Sequence, residues 1–126
     1  MKIAALISRL LLGLVFGVFG LNIFLQFLPM PPIPADTPAG HFFAAVGPTG
    51  YIKVVGVFQV LGGLLMLAGR YINLGLTLLG PVIVNIVLFH LLVAGGGLIP
   101  VPLVVVILFI IVLASRSDYL ATVFRA

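Results

Sequence analysis

The sequence predicts an all-α integral membrane fold: a single domain, residues 1–126, forming a four-transmembrane-helix bundle with both chain ends on the cytoplasmic side. Three observations predict it. Hydrophobic residues make up 63% of the chain and charged residues 6%, against about 25% charged in an ordinary soluble domain. The apolar residues gather into four runs, and the six basic residues stand at the ends of those runs. Two acids and six bases cannot clothe a water-facing surface. The scattered bases also exclude nucleic acid as a partner, which requires a clustered basic face. Cysteine is absent, which removes disulfides, thiolate metal sites and dithiol redox chemistry from this chain.

A spanning helix needs about 20 mostly apolar residues. The first run, Leu10 to Leu28, ends at Pro29, Pro31, Pro32 and Pro34, which cannot continue a helix. Its length, and the lack of a small-x-small site before the prolines, favour a retained span over a cleavable signal peptide. The second run is Tyr51 to Gly69, with Lys53 able to snorkel outward. Leu74 to Val93 is the third, where Gly80-Pro81 predicts a kink and freed carbonyls. Ile99 to Ser115 is a shorter fourth. Backbone amides in hydrocarbon must pair internally, so these runs are expected to be helices despite their valines and isoleucines.

Orientation follows from the flanking charges. With the N-terminus inside, Lys2, Arg9, Arg70, Arg116 and Arg125 are cytoplasmic and only Lys53 is outside. Arg70 to Asn73 then forms a tight cytoplasmic turn, and Ala94 to Leu98, with Gly95, Gly96 and Gly97, a short outer one. Residues 29–50 form the one substantial loop, on the outer face. Within it Thr37-Pro38 is an N-cap and first-turn pair. A short interfacial helix through His41, Phe42, Phe43 and Val46 is expected before Gly47 and Pro48 stop it. The tail, Ser117 to Ala126, places Tyr119, Leu120, Val123 and Phe124 along one side and is expected to lie flat on the cytoplasmic surface.

Small and polar residues mark the helix faces. Gly13, Gly17, Gly20 and Phe24 repeat at helical spacing, and Gly13-x-x-x-Gly17 permits close backbone contact. Gly56, Gln59 and Gly63 share a face of the second span. Packing within the chain is the reading preferred for these stripes, with a homodimer seam as the alternative. Five polar residues fall inside the spans: Asn22, Gln26, Gln59, Asn85 and His90. Polar groups in a span are functional suspects, and together they predict a ligand pocket between the first three spans, opening toward the outer leaflet. Interhelical hydrogen bonding, at about 0.6–2 kcal/mol per contact, explains them equally well.

His90 brings an imidazole that can shuttle a proton, ligate a metal or donate to a quinone carbonyl. Haem held by two histidines would need His90 and His41, and His41 falls in the outer loop rather than on an opposing helix, so haem is not predicted. Asp36 and Asp118 are at the surface, which leaves no buried acid for proton pumping. No catalytic residue and no metal site are assigned, and a Ser–His–Asp set and a phosphate-binding glycine loop are missing.

In order and spacing, several pieces resemble the DoxX family of small four-span membrane proteins, over Arg9 through Arg116. They are Arg9-Leu10-Leu11-Leu12-Gly13 with Phe16 and Gly20, the proline-rich loop leading to Thr49-Gly50-Tyr51, and Gln59-Val60-Leu61-Gly62-Gly63 followed by Gly69-Arg70. The most specific is Pro81-Val82-Ile83-Val84-Asn85 followed by Phe89-His90. The resemblance implies a bundle in the bacterial cytoplasmic (inner) membrane, associated with redox systems; the family name is linked to a thiosulfate:quinone oxidoreductase. It points to Arg9, Gln59, Asn85 and His90 as site residues, with Gly13 and Pro81 as motif positions. Many members carry a glutamate where this chain has Gln59, so a protonatable group is missing here.

Three functions remain open at this point. One is a partner-dependent, non-catalytic subunit of a membrane redox system whose pocket takes a quinone-like amphiphile. Another is a structural accessory subunit of a larger membrane complex or a homo-oligomer. The last is a carrier or sensor of a small hydrophobic solute.

Overall fold

The computed structural model describes residues 2–29, 33–93 and 100–125 and is all-helical, with no strand among the described residues. The helices are α1 (Lys2–Leu25), α2 (Pro38–Val46), α3 (Tyr51–Ala68), α4 (Ile72–Leu88), α5 (Pro100–Ala114) and α6 (Ser117–Val123). A 3-10 turn, Gly47–Thr49, leads into α3, and α4 runs on as a π-helical segment, Phe89–Val93. The glycine-rich turn at 94–98, Ile99 and two of the outer-loop prolines, Pro31 and Pro32, lie outside the described residues.

α1, α3 and α4 with its π-helical extension are each long and apolar enough to cross a membrane. A fourth crossing is reached when α5 and α6 are taken together, but they meet at 91°. The bend falls at Ser115 and Arg116, where the Ser115 hydroxyl donates to the Val112 carbonyl at 2.6 Å and closes the last turn of α5. α6 therefore leaves the axis of α5 instead of prolonging it.

The long helices pack in a ring: α1 against α3 and α5, and α4 against the same two. α1 and α3 run antiparallel, since Gly13 meets Gly63 and Leu67 while Gly20 meets Gln59 and Val60, and α3 and α4 do so through Gly62 at Leu79 and Gly75 at Met66. The centre is filled by Leu12 and Phe16 of α1, Met66 of α3, Leu76, Leu79, Val82 and Ile83 of α4, and Val105 and Val112 of α5. Elsewhere the helices show apolar side chains outward, among them Leu14, Val54, Leu64, Val84, Leu103 and Ile110. An apolar exterior around an apolar core suits a lipid environment.

Glycine permits a close backbone contact between α1 and α3. A Cβ at Gly63 would fall 2.6 Å from the Gly17 amide nitrogen and 2.9 Å from the Gly13 carbonyl oxygen. The stripe on α1 is thus used within the chain, against α3.

Two element ends differ from expectation for local reasons. α1 stops at Leu25 rather than Leu28, because the Asn22 side-chain oxygen accepts the Leu28 amide at 2.8 Å and Gln26 takes a left-handed φ of 52°. α4 begins at Ile72, inside the turn expected at Arg70 to Asn73, after left-handed Gly69 and Tyr71. α2 forms where the Thr37-Pro38 pair predicts it, with the Gly40 amide donating to the Thr37 hydroxyl oxygen at 3.1 Å.

Candidate functional site

The five polar residues expected to converge are held separately, four on helical segments and Gln26 just past the end of α1. Asn22 is buried and closes the C-terminal end of α1 through Leu28, as above. Gln26 lies past the end of α1, exposed, so the two no longer share a helical face. Gln59 is half-buried on α3, its Cβ against Gly20 of α1. Asn85 is exposed on α4, its amide nitrogen donating to the Pro81 carbonyl at 3.0 Å, one turn back on the same helix. His90 is half-buried in the π-helical segment, with Nδ1 2.8 Å from the Ile86 carbonyl. Among the described residues no hydrogen bond joins any two of these five.

The bond to Ile86 settles the tautomer of a neutral His90. A carbonyl can only accept, so Nδ1 carries the hydrogen and Nε2 presents a lone pair. Phe89 meets His90 edge-on with ring centroids 5.6 Å apart, and Phe42 and Phe43 of α2 pack on Phe89 at 5.5 and 5.4 Å. α2 is thereby held over the π-helical end of α4. His41, on α2, is exposed.

Arg9 occupies the opposite end. Its guanidinium donates to the Met66 carbonyl in the last turn of α3 and lies beside left-handed Gly69, where a Cβ would come within 2.9 Å of it. The last carbonyls of a helix lack intrahelical donors and carry the negative end of its dipole, so a cation there is favourable. Arg9 locks the start of α1 onto the end of α3.

The densest polar cluster was not among the residues singled out from sequence. Arg116 Nε donates to the Asn73 side-chain oxygen at 2.9 Å, and the Asn73 amide donates to Asp118 at 3.0 Å. Arg116 and Asp118 form an ion pair at 3.7 Å. The Thr77 and Tyr119 hydroxyls are 3.0 Å apart. Asn73 and Thr77 belong to the first turns of α4, so this cluster ties α6 across the end of the ring. The Asn73 hydrogen bond, and secondarily the Arg116 charge, hold the Asp118 carboxyl below its ordinary range. A signal was present in the sequence, since Arg116-Ser117-Asp118-Tyr119 contains one of the chain's two acids.

Among the grooves on the surface of the described residues, two stand out. One, of about 270 Å³, is lined by Gly69, Tyr71, Ile72, Asn73, Leu74 and Arg116. The other, of about 340 Å³, lies between α4 and α5 at Gly80, Ile83, Val87, Val106 and Phe109 and is apolar throughout. Neither includes any of the five expected pocket residues. Among the described residues no group of three or more histidines and acids could hold a metal ion.

Fold and surface together define an all-helical protein with helices suited to a membrane. No family model, curated protein or solved structure matches the chain.

Proposed function

We propose that this chain is a four-span subunit of the bacterial cytoplasmic membrane, both ends cytoplasmic, which docks on another membrane protein through the α4 face that carries Asn85. The exposure of Asn85 carries this reading. Its amide nitrogen has one bond, to its own helix, and its side-chain oxygen accepts none among the described residues. An unmet carboxamide facing hydrocarbon is costly, and a donor on a partner helix removes that cost. The exposed neighbours Pro81, Val84 and Leu88 give the same face apolar area around the amide.

The topology is supported by charge. Lys2, Arg9, Arg70, Arg116 and Arg125 fall at one end of the ring with a single acid, Asp118, while Lys53 and Asp36 fall at the other. The positive-inside rule makes the first end cytoplasmic. α5, at 15 residues, is about 22 Å long, so it spans with local thinning of the bilayer. α6 then lies along the cytoplasmic surface.

That the partner belongs to a redox system rests on the sequence resemblance of Pro81 through His90 to DoxX motifs alone, with no family model beside it. His90 favours a second reading within that class. With Nε2 as an acceptor beside Phe89, it suits the hydroxyl of a quinol; a quinone carbonyl would need the protonated ring.

Purification in mild detergent tests the docking reading. A stoichiometric second polypeptide should accompany the wild-type chain and be lost from Asn85→Leu, which stays folded. A chain that purifies alone from its native membrane contradicts it. Co-purifying quinone lost in His90→Phe would support the second reading.

A further inference from the structure

We infer that the groove at the α3–α4 turn is a binding site for the headgroup of an anionic phospholipid. The inference rests on the membrane topology above and goes beyond it by naming a ligand. Arg116 lines the groove, its side chain about one-third exposed. Asn73 holds Nε and Asp118 lies beside one terminal nitrogen, which orients the guanidinium while leaving other N–H groups for a phosphate. Arg70, exposed, lies in the turn between Gly69 and Tyr71, the two residues of that turn that line the groove. The Arg9 guanidinium lies behind Gly69. One arginine, Arg116, therefore lines the groove, with Arg9 behind its Gly69 wall and Arg70 next to that wall in the chain, against one carboxylate, Asp118.

The apolar lining suits the rest of a lipid. Ile72 and Leu74 line the groove beside the polar residues, and Leu74 is exposed at its edge, short of the Asn85 docking face. Tyr71, largely exposed, stands at the rim, where an aromatic ring meets the headgroup layer. Charged and apolar residues lining one groove match an amphiphile better than a small soluble anion. Basic pockets between helices on the cytoplasmic side are suited to such headgroups.

The test uses the full chain in detergent micelles, titrated with phosphatidylglycerol or phosphatidylcholine, with bound lipid counted by native mass spectrometry. Phosphatidylglycerol should be retained preferentially, and retention should fall about fivefold for each arginine neutralised, in Arg70→Gln and again in Arg70→Gln/Arg116→Gln. Lys53→Gln, at the other end, should change nothing. Arg70→Gln alone keeps the test open where the double variant disturbs α6. Equal retention of phosphatidylcholine, an equal loss in Lys53→Gln, unchanged retention in Arg70→Gln, or displacement by millimolar inorganic phosphate would each overturn the assignment. Failure of the topology is separable: the chain has no cysteine, so Arg70→Cys reports its side of the membrane by labelling with an impermeant maleimide.

Discussion

Gly63 and Gly17 face each other unequally. A Cβ at Gly63 would lie 2.6 Å from the Gly17 amide nitrogen, whereas a Cβ at Gly17 would meet nothing within 4 Å. Gly63 aims at the facing helix and Gly17 aims past it. Gly63→Ala should therefore force α1 and α3 apart and cost about 1–3 kcal/mol, as overpacking does. Gly17→Ala should be neutral or slightly stabilising, because alanine is the better helix former. Thermal unfolding of both variants in one detergent measures the difference, and equal loss would show that the stripe is read wrongly.

Arg9 gives a second prediction. Arg9→Leu removes the cation from the end of α3 and should cost about 0.3–1 kcal/mol, with Arg9→Lys recovering part of it. Hydrogen exchange at the last turn of α3 should accelerate more than exchange at mid-helix. Uniform acceleration would point instead to general loss of packing.

The α6 clasp predicts a pH response. Asp118 is held below the ordinary carboxyl value, about 3.9, first by Asn73 and then by Arg116. A depressed carboxyl adds stability that is present above its unfolded value and lost as pH falls through the lower folded one. α6 should stay docked at neutral and mildly acid pH and loosen only below about pH 4. Amide exchange in Ser117–Val123 follows this, and Asn73→Ala should move the loosening toward higher pH. Loosening between pH 6 and 7 would implicate another group.

Asn22 separates a cap from a ligand. Asn22→Ala leaves the Leu28 amide without its acceptor and should cost about 1 kcal/mol, while the partner seen with the wild-type chain remains bound. Loss of that partner at unchanged stability would return Asn22 to the binding surface.

The helices were legible because apolar runs bounded by charge or proline leave a chain few alternatives in lipid. The start of α1 was not, because Arg9 reads as the edge of a span until the end of α3 supplies its carbonyl. The end of α1 was missed for a similar reason: Leu25 to Leu28 is apolar, and only the geometry of Asn22 shows that the helix has closed. The glycine stripe was read correctly as a contact within the chain, but nothing in its spacing distinguishes Gly17 from Gly13 or Gly20. The α6 clasp lay furthest from view. Asn73 is 43 residues from Arg116 and 45 from Asp118, and no periodicity links partners at that separation. The expected pocket rested on residue type and depth alone. Asn85 points out of the ring, a matter of helix rotation that polarity does not reveal.

A photoreactive amino acid in place of Asn85, irradiated in the native membrane, tests the docking surface most directly. A four-span subunit that docks there should give one discrete adduct with a different polypeptide, while the same probe at Leu64, also exposed, on α3, gives lipid adducts. Lipid adducts alone at Asn85, or an adduct of two copies of this chain, would contradict it.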